Sequence, residues 1–182
     1  MKKVVTMFLS IVLTITSFAQ ERSASGPMNN VIKANTLTLI LASGSIFYER
    51  KLTDMTSAQM GVGYMNYRIE NTKLTGLFLT PEFKIYVRKD AIDGFFISPY
   101  LRFNKLGFEN KDNSSEGSLT TYGGGISFGR QWIFAKGLIL ELFFGGHYSD
   151  SDIKVNSGTE PPDLTELEGF RTRVGFCVGF AF

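Results

Sequence analysis

A chain of 182 residues with 19 Lys and Arg against 17 Asp and Glu carries a formal charge of only +2, too little for the basic surface that a nucleic-acid partner requires. Seventeen Phe and 19 Gly favour strands and turns over helices. A single cysteine, Cys177, excludes an intramolecular disulfide and leaves packing as its default role.

The first 19 residues read as a secretory signal peptide. Lys2 and Lys3 precede an apolar run from Val4 to Ile15, and Ser17-Phe18-Ala19 forms a small-x-small cleavage pattern. The run is shorter than the about 20 residues a spanning helix needs. No cysteine follows the cleavage point, as lipoprotein processing would require. Cleavage before Gln20 removes two lysines and no acid, leaving 17 bases against 17 acids. Residues 20–30 are polar, with Ser, Gly and Pro, and are expected to form a flexible tail. The barrel proper is expected over 31–182.

Eight strand-like segments follow, at Ile32–Leu41, Ser45–Leu52, Thr56–Ile69, Thr75–Arg88, Gly94–Phe108, Thr120–Ile133, Gly137–Ser149 and Gly169–Phe182. Most approach the roughly 9–11 residues of a tilted transmembrane strand. Alternation sharpens from the third. Leu77, Leu79, Phe83, Ile85 and Val87 oppose Thr80, Glu82, Lys84, Tyr86 and Arg88. Phe95, Ile97, Leu101 and Phe103 oppose Ser98, Tyr100, Arg102 and Asn104. Tyr122, Ile126, Phe128 and Trp132 oppose a glycine-rich set, and Leu138, Leu140, Leu142 and Phe144 oppose Glu141, Gly145 and His147. Successive side chains of a strand point to opposite faces, so each segment has one greasy and one polar face. The first two segments alternate less clearly, and their facing stays open.

Two connections are long and polar, Gly107 to Leu119 and Asp150 to Glu168, while Phe134-Ala135-Lys136 and Lys89 to Asp93 are tight. Counted from a periplasmic N-terminus, both long ones fall outside, the pattern of an outer-membrane barrel. Trp132 then lies near the inner interface and Tyr64, Tyr122 and Tyr148 near the outer one, as aromatic girdles would.

Alternation also fits a soluble lipocalin-like barrel with its apolar set inward. The glycine-rich polar face suits a crowded interior instead, and the apolar face carries too much Phe and Leu for an eight-strand lumen. The expectation is an all-β, eight-stranded antiparallel transmembrane β-barrel of up-and-down topology in the outer membrane. Glu49, Glu82 and Glu141 would then share the lumen with Lys84, Arg102 and Arg173, three acids against three bases in an internal charge network. A narrow channel gated by re-pairing of these charges is an alternative. In the last strand Phe170, Thr172, Val174, Phe176, Val178, Phe180 and Phe182 take one parity, and Arg171, Arg173, Gly175, Cys177, Gly179 and Ala181 the other.

That last strand, ending on Phe182, resembles the C-terminal aromatic signature of bacterial outer-membrane barrels, which implies the barrel-assembly machinery as a partner. Four ordered blocks extend the likeness: Tyr48-Glu49-Arg50-Lys51-Leu52, Pro81-Glu82-Phe83-Lys84-Ile85-Tyr86, Gly94-Phe95-Phe96-Ile97-Ser98-Pro99-Tyr100 and Gly129-Arg130-Gln131-Trp132-Ile133-Phe134. Together they resemble a family of small outer-membrane barrels of unknown function common in Bacteroidetes. The resemblance implies an OmpA-like or OmpX-like barrel and supplies no activity. The other implied partners are outer-membrane lipids and lipopolysaccharide, and the barrel is expected to be monomeric.

One motif invites an enzymatic reading. His147-Tyr148-Ser149, followed by Asp150 and Asp152, resembles the His-x-Ser element of lipid A deacylases. His147 would be the general base and Ser149 the nucleophile, with Glu160 or Glu168 orienting the histidine. That family typically places Asn after the Ser, where this chain has Asp150. His147 also shares parity with Glu141, whereas an esterase acting on membrane lipid must present the pair outward. A bulge at Gly145-Gly146 could reverse the phase. The acidic run with Asp150, Asp152, Glu160, Asp163, Glu166 and Glu168 lacks calcium-loop spacing and reads as a solvated loop. Gly123-Gly124-Gly125 reads as relief of crowding or a bend within a strand. No cofactor or metal is expected. The resulting expectation is a structural or surface-interaction protein, with the esterase and the gated channel as alternatives.

Overall fold

The computed structural model describes residues 28–40, 43–69, 72–88, 91–110, 115–157 and 169–182. The expected signal peptide, residues 20–27 of the tail, and Glu160, Asp163, Glu166 and Glu168 lie outside the described residues.

Strand alternation of period two, sustained around the chain, produces a closed sheet. The strands are β1 (Asn30–Asn35), β2 (Ser43–Lys51), β3 (Thr56–Ile69), β4 (Thr72–Tyr86), β5 (Gly94–Asn110), β6 (Glu116–Ile133), β7 (Leu138–Ser157) and β8 (Gly169–Ala181). Each pairs antiparallel with the next, and β8 pairs with β1, so the sheet has no free edge. The seam runs from Val31↔Ala181 to Asn35↔Cys177. Its end is tied by Asn30 N donating to Phe182 O at 3.0 Å and Phe182 N donating to Asn30 O at 2.8 Å. The terminal residue therefore completes the cylinder.

One end of the barrel carries the start of β1, the end of β8 and three short connections; we call it the terminal end. There Thr53 Oγ1 accepts from Met55 N and Thr56 N at 3.2 and 3.1 Å, shaping the β2–β3 turn. A 3-10 turn at Ala135–Gly137 joins β6 to β7, with Lys136 and Gly137 both at positive φ. The β4–β5 connection folds Ala91 and Ile92 into the barrel mouth, where both are buried. Ile92 takes φ 73°, rare for a β-branched residue, and is held there by packing with Val31, Ile139 and Ala181.

Two elements depart from the sequence-based expectation. β1 ends at Asn35, not Leu41, and a single helical turn, α1 (Leu37–Ile40), follows. Asn35 Oδ1 accepts from Leu37 N at 3.1 Å and from Phe176 N at 3.3 Å, a local side-chain bond that turns the chain out of the sheet. The long polar connections are also shorter than expected. β5 and β6 stay paired out to Glu109↔Glu116, and β7 continues through Asp150 and Asp152 to Ser157 against β6. Polar residues in that stretch extend a hairpin whose inward positions, Ser151 and Ile153, keep the alternation. β1 begins at Asn30, within the segment read as a tail.

Burial inverts the usual order. Val62, Leu79, Phe103, Ile126, Phe144 and Val174, from six successive strands, are exposed, while Lys33, Glu49, Lys84 and Glu141 are wholly buried. The large apolar side chains form the outside of the cylinder, opposite to the lipocalin-like arrangement.

Candidate functional site in the barrel lumen

The lumen is filled in layers, each set by inward positions brought level by register. At the terminal end Val31, Ile92, Ile139 and Ala181 form an apolar floor. Immediately above lies a charged layer. Lys33 Nζ on β1 lies 2.5 Å from Glu49 Oε2 on β2, 2.5 Å from Glu141 Oε2 on β7 and 2.6 Å from Gln131 Oε1 on β6. Lys84 Nζ on β4 lies 2.5 Å from Glu141 Oε2 and 3.2 Å from Glu49 Oε2. The Lys84–Glu141 bond crosses the cylinder from β4 to β7, and Lys33 on β1 links β2 to β7.

Hydroxyl and amide groups add to the layer. Ser57 Oγ and Tyr86 OH each donate to Glu49 Oε1 at 2.6 Å. Gln131 Nε2 donates to Ile92 O at 2.8 Å, which ties the layer to the floor. Lys84 also sits 4.1 Å above the Phe96 ring, a cation–π contact. Two ammonium groups against two carboxylates make a neutral, hydrogen-bonded set, the only form in which buried charge is tolerable.

A second layer stands further from the terminal end. Arg173 Nη2 on β8 donates to Glu82 Oε1 on β4 at 2.5 Å, and Ser98 Oγ donates to Glu82 Oε2 at 3.3 Å. The Arg173 guanidinium lies 4.4 Å from the Tyr100 ring and 4.6 Å from the Phe143 ring. Arg102 points into the same space but bonds no carboxylate among the described residues. Its Nε donates to Asn104 Oδ1 at 3.3 Å, and its guanidinium stacks 4.2 Å over Phe78. Asn104 Nδ2 in turn donates to Thr121 Oγ1. At the far end Leu74, Leu106, Phe108 and Leu119 pack together.

Of the six charged residues singled out in the sequence, Glu49, Lys84 and Glu141 thus meet in one layer and Glu82 and Arg173 in another. Among the described residues Arg102 joins neither ion-pair set, so the two layers hold five of the six charges expected to balance three against three. Lys33, the hub of the first layer, was missed. Its signal was the inward parity it shares with Val31 and Asn35, obscured because β1 is short and was read as running to Leu41. The inward aromatics Phe47, Phe78, Phe96 and Phe143 were also missed, since Phe carries no mark of which face it takes.

His147 and Ser149 both turn into the lumen and are buried. His147 Nδ1 shares a 3.1 Å hydrogen bond with Tyr100 OH. The register β6–β7 runs without a shift through Gly145 and Gly146, so no bulge reverses the phase. Asp150 and Asp152 occupy the opposite, outward face. The pair is therefore withdrawn from the surface where a membrane lipid would present its ester. The glycines of β6 match this crowding: a Cβ at Gly125 would lie 2.6 Å from His147 Cβ and 2.1 Å from Gly146 O.

An up-and-down cylinder of eight strands, apolar outside and packed with paired charges inside, defines the class of small β-barrels with a filled lumen. The chain belongs to the family described as "Protein of unknown function (DUF3575)", which it matches over residues 5–158. No curated protein matches it in sequence. Among solved structures it is similar to the N-terminal β-barrel domain of Pseudomonas aeruginosa OprF, with a TM-score of 0.52 and 16% identity over 85% of this chain and 98% of that one. At that identity the likeness establishes the fold.

Proposed function

We propose that the chain is an integral outer-membrane β-barrel of a Gram-negative cell, exported by its signal peptide, with a structural or surface-interaction role rather than a catalytic one. One observation carries the reading: an apolar belt covers the outside while carboxylates, ammonium and guanidinium groups are enclosed. In water that arrangement would expose a hydrophobic surface far larger than a soluble monomer tolerates. Against hydrocarbon it is the favoured one. The terminal end faces the periplasm in this reading, so the β3–β4, β5–β6 and β7–β8 connections face outward.

The partners that follow are outer-membrane lipids and lipopolysaccharide around the belt, and the barrel-assembly machinery acting on the strand that ends at Phe182. The barrel functions as a monomer. The crossed Lys33–Glu49–Lys84–Glu141 layer and the Ile92 floor argue for a closed lumen over a conducting one. Fractionation of cells expressing the full chain, with heat-modifiable gel migration of the purified protein, tests the proposal. The expected result is an outer-membrane pool that needs detergent for extraction. A mature polypeptide that stays soluble and monomeric in plain buffer overturns it.

A further inference from the structure

The charges of the lumen do not balance along its length. The layer nearest the terminal end is neutral, two lysines against two glutamates. Further up, Arg102, Arg171 and Arg173 turn inward, and among the described residues Glu82 is the only acid bonded to any of them. Arg171 is directly opposite His147 on β7, and the charges of Arg102, Arg171 and Arg173 all act on that histidine. Asp150 and Asp152, the nearest acids on β7, face outward. Among the described residues two guanidinium groups are thus without a carboxylate partner in a confined space, where uncompensated charge is strongly unfavourable.

Two further observations point to a ligand. Arg173 is more than nine-tenths buried and Glu82 takes its Nη2, yet its Nη1 has no hydrogen-bond partner. The inward hydroxyls of Thr80 and Ser127 are likewise buried and unpartnered. Meanwhile Arg102, Asn104 and Arg171 keep partial exposure although they face inward. Across from Arg102 the wall is Gly123, and across from Tyr100 it is Gly125, neither of which presents a side chain. The partial exposure of these inward residues shows solvent-accessible space in this half of the lumen, lined with donors.

We propose that the far half of the lumen is a blind oxyanion vestibule in which Arg102, Arg171 and the free Nη1 edge of Arg173 hold a phosphate-class anion. Planar guanidinium forks match the oxygen spacing of such an anion and bind it with charge-assisted hydrogen bonds. The neutral layer and the Ile92 floor close the space below, so the anion is held and not passed through. The anion can arrive free in solution or as the phosphate of a lipid headgroup. The site does not depend on which membrane, if any, surrounds the barrel.

The test uses the full mature chain folded in zwitterionic detergent at constant ionic strength. Titration calorimetry follows inorganic phosphate, a short-chain phosphatidic acid and chloride, for wild type, Arg102→Gln, Arg171→Gln and the double variant. Phosphate is expected to bind wild type and raise its melting temperature, while chloride does neither. Each single variant should bind about tenfold or more weakly, as loss of a charge-assisted contact implies. The double variant should show no phosphate-induced shift, yet melt no lower than unliganded wild type because like-charge repulsion has been removed. Phosphatidic acid binding in place of inorganic phosphate, lost in the double variant, assigns the headgroup as the source. The proposal is overturned if phosphate and phosphatidic acid bind no better than chloride, or if the double variant binds them as wild type does.

Discussion

Glu141→Gln is the sharpest test of how the lumen is held. Glu141 Oε2 is shared by Lys33 and Lys84 at 2.5 Å each, with all three side chains almost wholly buried. The substitution keeps the shape and removes one charge, leaving two ammonium groups to Glu49. Lys33 retains its 2.5 Å bond to Glu49 and its 2.6 Å bond to Gln131. Lys84 keeps as its ionic contact only the longer 3.2 Å one to Glu49, beside the Phe96 ring and the neutral amide that replaces the Glu141 carboxylate. Breaking a buried pair on one side costs about 3–5 kcal/mol, and the surviving contacts of Lys33 place the expectation near the low end, about 3 kcal/mol. Adding Lys84→Met restores one base against one acid and should recover much of the loss, with a coupling of about 1–3 kcal/mol. Urea unfolding of the barrel in lipid vesicles, followed by fluorescence of the single tryptophan Trp132, gives both numbers. A loss below about 1 kcal/mol, the value of an exposed pair, would refute the reasoning. So would a double variant no better than Glu141→Gln alone.

Phe144 faces outward at 63% exposure, level with Phe128 and Val174. Phe144→Arg should therefore destabilise the vesicle-inserted barrel by about 2–4 kcal/mol, while Thr120→Arg near the far rim should cost about 1 kcal/mol or less; equal effects would count against the lipid-facing belt. A Cβ at Gly179 would lie 2.1 Å from Ile32 O, a backbone atom in the seam. Gly179→Ala should accordingly lower stability by about 1–3 kcal/mol, read from the folded fraction on heat-modifiable gels. His147→Ala and Ser149→Ala should leave the acylation pattern of lipid A unchanged by mass spectrometry. A pattern that differs from wild type would reinstate the esterase.

Much of the architecture was legible because alternation is a local property. The parity of Leu77 against Glu82, or of Phe128 against Gln131, can be read from neighbours two residues apart, and it fixes which residues of each strand share a face. Strand count followed from the same rhythm. The short β1 escaped it, since six residues with Lys33 in their midst carry too little pattern, and Asn35 breaks the strand through a side-chain bond no periodicity records. The hairpin extensions beyond Thr120 and Ser149 escaped for a related reason: Ser, Thr and Asp look alike in a loop and in a strand standing clear of hydrocarbon.

Which charges meet was decided elsewhere. Lys33 and Glu141 are 108 positions apart and come together only because β1 closes on β8 and the stagger of every intervening pair brings them level. The same stagger separates Arg102 from the acids it was expected to join. Side-chain parity is settled by each residue's own backbone, whereas height in the lumen is the sum of eight registers around a ring. No stretch of chain contains that sum; closure of the cylinder supplies it.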